Sequence, residues 1–380
     1  MSGKAKESLR SPYYKFWSFL KSLWQPSPVA QKSDDTSHEI ISEMQKEMLQ
    51  TITLNGVDLD KLYGQTLEMI RKQKGDLPRL GMKVLMWVSH SKRPLRWKEL
   101  QWALSLVDPE ARNIYPKDAP SQEAVLGSCL GLVMVEKHTL RVRLIHNTLQ
   151  QYLSQPGILF GAHRQLGETC IAFLNHRQVK RIRARKIEDL VPIPFLEYAS
   201  LYWVTHAKVE LSDTAKTLAV DLLQNFENHI SFDLFCKKDL WHYFSNPRHP
   251  FTGLHLASFL GIEGLVAAML TVKSCDINKK YSSGYTPLMR AVRHGNHGAA
   301  RLLLTCNGVD PDRPAPYETP LIWAINHGDD EMVRVLIKGG SDPTRPDKHG
   351  ETPLMAAPHP WNERKAALFQ LPPIAISDLD

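Results

Sequence analysis

The sequence has no apolar run of about 18 residues or more, so it offers no candidate for a membrane-spanning helix. The opening stretch, MSGKAKESLRSPYYKFWSFLKSLW, is too polar for a secretory signal. Its lysines and aromatics at helical spacing suit a membrane surface or a partner groove, and a frayed tail is the plainer alternative. Cysteine is scarce: Cys129, Cys170, Cys236, Cys275 and Cys306 are the five, far apart and without a C-x-x-C pair. Free and mostly buried thiols in a reducing compartment are the expectation. The 16 histidines fall in no H-E-x-x-H or zinc-finger spacing, so neither a metal nor another cofactor is expected. G-x-S-x-G, the dinucleotide fingerprint and a Cys/His pair in a nucleophile context are all missing. Catalysis therefore has no candidate nucleophile, base or metal, and the chain reads as a non-enzyme.

At 380 residues the length fits two or three domains. The net charge of +7 is unevenly spread. It gathers at the N-terminus and in RKQKGDLPRLGMK, HSKRPLRWK and RQVKRIRARK, while the C-terminal third is nearly balanced. A mild excess of this kind fits a negatively charged partner without naming one.

What is present is a period. Thr286-Pro287-Leu288 returns as Thr319-Pro320-Leu321 and Thr352-Pro353-Leu354, each 33 residues on, and Thr252-Gly253-Leu254 lies 34 residues before the first. Ala257, Ala291, Ala324 and Ala357 keep step, as do Gly261, Gly295 and Gly328. Threonine caps a helix by accepting an N–H bond, proline suits the first helical position, alanine permits close helix approach, and glycine supplies the left-handed backbone that ends the helix. A second amphipathic helix follows in each unit, as EGLVAAMLT, HGAARLLLT and EMVRVLIKG. One such unit cannot bury its apolar face alone, so stacking is required. The pattern resembles the ankyrin repeat, with three full copies and a partial fourth over 248–357. The histidine usual after Thr-Pro-Leu survives only as His255; Met289, Ile322 and Met355 replace it. A looser, more apolar stack is expected, each missing bond being worth roughly 1 kcal/mol.

Upstream, residues 1–36 read as a flexible basic tail, and Ile40, Met44, Met48 and Ile52 form a stripe on a first helix from Ser37. Helices are predicted over LDKLYGQTLEMIRKQ, LPRLGMKVLMWVSHS, RPLRWKELQWALSL and SQEAVLGSCL. GLVMVE and LRVRLI read as a hairpin around Lys137-His138, before a helix in HNTLQQYLS. Helices followed by a hairpin suggest a winged-helix-like domain over 37–155. The stretches LYGQTLEMI, VLMWVSHSKRPLRWKELQWALSL, SCLGLVMVE and VRLIHNTLQQYL resemble the segment that follows the nucleotide-binding domain of filamentous-fungal NACHT–ankyrin proteins. HRQLGETCIAFLN and PFLEYASLYWVTHAK resemble the helical linker of that family, here 156–247. A NACHT domain needs a G-x-x-x-x-G-K-[ST] loop, which does not occur, and too few residues precede the winged-helix-like part to hold one. The resemblance thus implies the sensor half of a switch without its engine. It also points to His146 as a nucleotide sensor, with a capping role as the plainer reading. The fold class expected is mostly α: a winged-helix-like helical domain with a small β-hairpin, a helical linker, an ankyrin stack, and a cap or tail over 358–380.

Register within the repeat places Tyr285, Arg290, Arg293, His294, Glu318, Trp323, Asn326, His327 and Glu351 on the exposed side of turns and first helices, where a partner protein would bind. Tyr, Trp and Arg dominate interfaces, and Trp323 is the favoured anchor unless it packs on Arg290. Asp329-Asp330-Glu331 opens a helix and reads as a solvated, dipole-compatible start. Lys180, Arg181, Arg183, Arg185 and Lys186 form a candidate nuclear-import signal or a solvated helix face. Direct nucleic-acid binding is not expected, because ELQWALSL is apolar on too many sides for a recognition helix. The function implied is a regulatory adaptor inside the cell that binds another protein. It is either a nuclear transcription co-regulator or a cytoplasmic NACHT-type remnant that binds or restrains full-length relatives.

Overall fold

The computed structural model describes residues 58–105, 119–182, 193–237, 251–273, 275–281, 284–353 and 355–356. The tail over 1–36, the helix from Ser37 and the cap over 358–380 lie outside the described residues. Two compact units form, one ending at Ala162 and the other starting at His163.

In the first unit, the Asp58 carboxylate caps α1 (Leu59–Arg71), accepting from the N–H groups of Asp60 and Lys61 at 3.1 and 3.2 Å. Leu62, Leu67 and Ile70 are buried as their spacing requires, with Tyr63 beside them. α2 (Leu77–His90) packs on α1 and buries Val84, Leu85 and Trp87. α3 (Trp97–Ser105) and α4 (Gln122–Ser128) pack against α2. Gly81 is needed there, because a β-carbon on it would stand 2.5 Å from the Ser128 carbonyl oxygen.

The hairpin follows as β1 (Val133–Val135) and β2 (Val142–Leu144), antiparallel with Val133 opposite Leu144 and Val135 opposite Val142. The segment before α3 pairs with it: Val142 N–H donates to the Leu95 carbonyl at 2.8 Å, and Trp97 N–H donates to the Leu140 carbonyl at 2.7 Å. α5 (Asn147–Leu153) then returns to α1. Glu99, almost fully buried, fastens the turn into α3. It accepts two bonds from the Arg93 guanidinium at 2.6 and 2.7 Å and one from the Arg96 N–H at 2.8 Å. The four helices read over residues 59–130 and the wing stand where the sequence puts them.

The second unit opens with α6 (Ala162–Asn175), the short α7 (Arg177–Lys180), α8 (Phe195–Ala207), α9 (Asp213–Gln224) and α10 (Ile230–Lys237). A buried polar chain ties α6, α8 and α10. His229 Nε2 donates to the Leu174 carbonyl at 3.0 Å, its Nδ1 accepts from Ser231 N–H at 3.1 Å, and Ser231 bonds Ser200 at 2.9 Å. The buried cysteines are inert: burial pushes the Cys129 thiol up to about 12 and Cys170 higher still. Cys275 and Cys306 are half-exposed, and the Cys236 side chain lies outside the described residues.

The repeats are helical pairs: α11 (Gly253–Leu260) with α12 (Glu263–Leu270), α13 (Pro287–Arg293) with α14 (His297–Leu304), and α15 (Pro320–Asn326) with α16 (Asp330–Lys338). Thr286 and Thr319 cap α13 and α15, accepting from Met289 N–H at 3.2 Å and Ile322 N–H at 3.3 Å. Thr352 repeats the cap on Met355 N–H at 3.3 Å. Gly261, Gly295 and Gly328 have φ of 68°, 62° and 68°, the left-handed backbone that ends each first helix. First helices stack as α11, α13, α15, and second helices as α12, α14, α16.

The second row begins earlier than the sequence motif does, because α9 stacks on α12 and also touches α11. This explains why Gly253 stands where the later copies have proline. A β-carbon there would lie 2.3 Å from the Leu223 carbonyl oxygen, in the last turn of α9. Gly253→Ala is expected to cost about 1–3 kcal/mol, since the obstacle is backbone that cannot swing aside. Urea unfolding followed by far-UV circular dichroism reads this loss, and an unchanged midpoint would refute the close approach.

His255 makes the tie expected of it: Nδ1 accepts from Thr252 N–H at 3.2 Å, and Nε2 donates to the Tyr285 carbonyl of the next unit at 3.2 Å. Met289 and Ile322 are buried and supply no such bond. Other groups join neighbouring units instead. Asn278 Nδ2 donates to the Gly308 carbonyl at 2.6 Å, and its Oδ1 accepts from Asp310 N–H at 3.0 Å. One unit later, Asp312 accepts from Asp342 N–H at 2.9 Å. Asn296 Nδ2 donates to the Ser258 and Phe259 carbonyls at 2.9 and 2.7 Å.

Candidate functional site

A run of stacked rings and cations lies along α13 and α15. The Tyr281 and Tyr285 rings stack at 5.8 Å. Arg290 lies against both, 4.8 Å from the first centroid and 5.1 Å from the second. One turn further along α13, the Arg293 guanidinium sits 4.8 Å from the Tyr285 ring and 4.1 Å from the Trp323 ring, and it donates to the Tyr285 hydroxyl. Trp323 in turn stacks on His327 at 3.8 Å, and His327 Nδ1 donates to the Trp323 carbonyl at 2.9 Å. Each cation–ring contact is favourable because the ring face is the negative end of its quadrupole.

The structure corrects two expectations. Arg290, placed on the exposed face by register, is 1% exposed. The tyrosine rings cover it, and burial first, then the Arg293 charge, pulls its pKa down to about 9. Trp323 is half-buried and contacts Arg293, not Arg290. Of the other expected residues, Tyr285, Arg293 and Glu318 are half-buried, and His294, Asn326, His327 and Glu351 are exposed. Tyr285, Arg293, Trp323 and His327 therefore form one continuous ladder. Glu318, Asn326 and Glu351 lie outside it, with Glu351 N–H bonded to the Asp347 carboxylate at 2.9 Å.

His294 packs edge-on against Phe259 at 4.3 Å. Its pKa is pushed down to about 4, by burial first and then by the charges of Arg290, Arg293 and Lys208, although part of the ring stays open to solvent. Register reasoning missed Tyr281, because it precedes the Thr-Pro-Leu motif, and Tyr317, which is 68% exposed and stacked on His349. Phe259 was legible, since it stands 34 residues before Arg293 in the same register.

The other expected sites are placed as follows. His146 caps α5, its Nδ1 accepting from Thr148 N–H at 3.2 Å. Asp329 caps α16 through Met332 N–H at 3.0 Å and bonds His297 at 2.9 Å, while Glu331 pairs with Arg301 at 3.1 Å and Arg334 at 3.3 Å. In the basic run, Lys180 pairs with Asp221 of α9 at 2.6 Å and Arg181 is exposed. Arg183, Arg185 and Lys186 lie outside the described residues. Among the described residues no His, Cys, Asp and Glu cluster is arranged to hold a metal ion, and no helix is long and apolar enough to cross a membrane.

The comparisons agree with this architecture. Residues 65–159 match the family model described as GPI inositol-deacylase, winged helix domain. Residues 220–315 match a model of ankyrin repeats in three copies, and 303–355 match a model of ankyrin repeats in many copies. No curated protein matches the chain. The chain thus carries a winged-helix domain of the GPI inositol-deacylase type followed by ankyrin repeats. The first of these matches covers the winged-helix module alone. The repeat match starts at 220, inside α9, which is where the second-helix row begins.

Proposed function

We propose that this chain is a non-enzymatic regulatory adaptor that grips a partner protein on the first-helix side of its repeats. The observation that carries the reading is the ladder of Tyr285, Arg293, Trp323 and His327, which presents a pre-ordered aromatic and cationic surface on a repeat architecture whose usual work is protein binding. Such side chains bind at low entropic cost because their neighbours already hold them in place. Affinity purification with full-length wild type and Trp323→Ala tests it. Loss of a hot-spot residue is expected to cost at least about 2 kcal/mol of binding, removing the partner from the eluate. Equal recovery of every partner by both proteins would count against this face.

The cellular setting follows from other features. The run Lys180, Arg181, Arg183, Arg185, Lys186 supports a nuclear role as a transcription co-regulator. A fluorescent fusion with these five residues changed to glutamine is then expected to leave the nucleus, and an unchanged distribution would remove that role. The winged-helix match beside the repeats supports a second setting, a cytoplasmic remnant of a NACHT-type signalling sensor that binds or restrains full-length relatives. That setting predicts co-purification of a nucleotide-binding relative through the winged-helix unit.

A further inference from the structure

Arg293 differs from the ion-paired arginines of the stack. On the outer row, Arg301 and Arg334 both pair with Glu331, at 3.1 and 3.3 Å. Arg345 lies 3.8 Å from Asp310. No carboxylate among the described residues pairs with Arg293. Its guanidinium faces are taken by the rings of Tyr285 and Trp323, and one edge donates to the Tyr285 hydroxyl. Arg293 is half-buried, and none of its guanidinium nitrogens is among the buried polar atoms left without a partner. A planar guanidinium offers parallel donors that match a carboxylate, and holding it between rings removes the freedom it would otherwise lose on binding. The surroundings favour an anion as well, because the Arg290, Arg293 and Lys208 charges all bear on the neighbouring His294.

We propose that Arg293 is the carboxylate-recognising residue of this face. Its occupant is an acidic peptide segment of the partner, with an Asp or Glu side chain on the guanidinium edge and an adjacent apolar side chain on the Trp323 ring. The proposal rests on the repeat-face reading above and adds to it the chemistry of the partner. Trp323 supplies the apolar plate and Tyr285 sets the angle of the fork.

Fluorescence anisotropy with the full-length protein tests this directly, using a labelled synthetic peptide of alternating Glu and Leu and the same peptide with Gln for Glu. The Glu–Leu peptide is expected to bind at least about ten-fold more tightly than the Gln–Leu peptide, with affinity falling as salt rises. Arg293→Gln is expected to erase the difference between the two peptides. Arg293→Lys keeps the charge without the fork and is expected to retain part of it. Arg301→Gln, on the other helix row, is expected to change nothing. Thermal melts of each variant confirm that the repeats remain folded. Equal binding of the two peptides by wild type overturns the proposal, as does a folded Arg293→Gln protein that still prefers the Glu–Leu peptide. If both peptides bind equally and Trp323→Ala weakens both, the face is a binding surface and the acidic assignment alone falls. If neither peptide responds to either variant, the face reading falls with it.

Discussion

Glu99→Ala is expected to destabilise the winged-helix unit by about 3 kcal/mol, the lower end of what breaking a buried ion pair costs. The carboxylate does three things at once. It receives both arms of the Arg93 fork, at 2.6 and 2.7 Å, and it accepts the Arg96 N–H at 2.8 Å as the chain enters α3. Alanine removes all three partners and leaves the guanidinium facing a cavity. The lower end applies because the Arg93 side chain keeps 26% exposure and can turn toward water. Glu99→Gln retains an acceptor for the Arg96 N–H and should fall between. Trp87, Trp97 and Trp102 are buried in the same unit, so denaturant unfolding read by tryptophan fluorescence reports it. A midpoint within error of wild type for Glu99→Ala would show that this junction is not a point of strength.

Acid is expected to loosen the repeats well before it protonates ordinary carboxylates. Burial, opposed in part by its bond to the Tyr285 carbonyl, pushes His255 down to about 3. His294 is pushed down to about 4. Both imidazoles are neutral in the fold, whereas in the unfolded chain they take up protons below about pH 6.5. The unfolded state therefore binds more protons as pH falls, so stability is greatest above about 6.5 and is lost progressively toward 4 and then 3. From pH 6.5 to 5, His255 alone contributes a loss of about 1.6 kcal/mol. Urea unfolding across this range checks the slope. His255→Gln should lower stability at neutral pH, because the inter-unit bond is weakened, and should flatten the pH dependence. An equally steep dependence in the variant would place the acid sensitivity elsewhere.

The stacked pairs were legible because their signal is local and repeated. Thr286, Pro287, Ala291 and Gly295 each answer a backbone requirement of a short capped helix, and the next copy restates it. The wing was legible for the same reason, with apolar runs flanking a turn. Long-range consequences were not. Nothing near Arg290 in sequence announces that the Tyr281 ring will fold over it, and Trp323 finds Arg293 instead because that guanidinium lies one turn further along α13. The polar ties of Asn278 and Asp312 to the following unit also escaped. Their partners are backbone groups 30 or more residues away, and a backbone group carries no sequence signal. The role of α9 was hidden because it lacks the Thr-Pro-Leu signature altogether.

That last feature has a practical edge for anyone wishing to isolate the binding half. A cut placed just before the first threonine-led unit strips α9 from α12 and bares the apolar face that α12 packs against it. Such a truncation is expected to be sticky and chaperone-bound whatever the quality of its binding surface. A piece that keeps the α9–α12 packing starts no later than Ser212, whose hydroxyl accepts from the Ala215 N–H at 3.1 Å and so secures the beginning of α9.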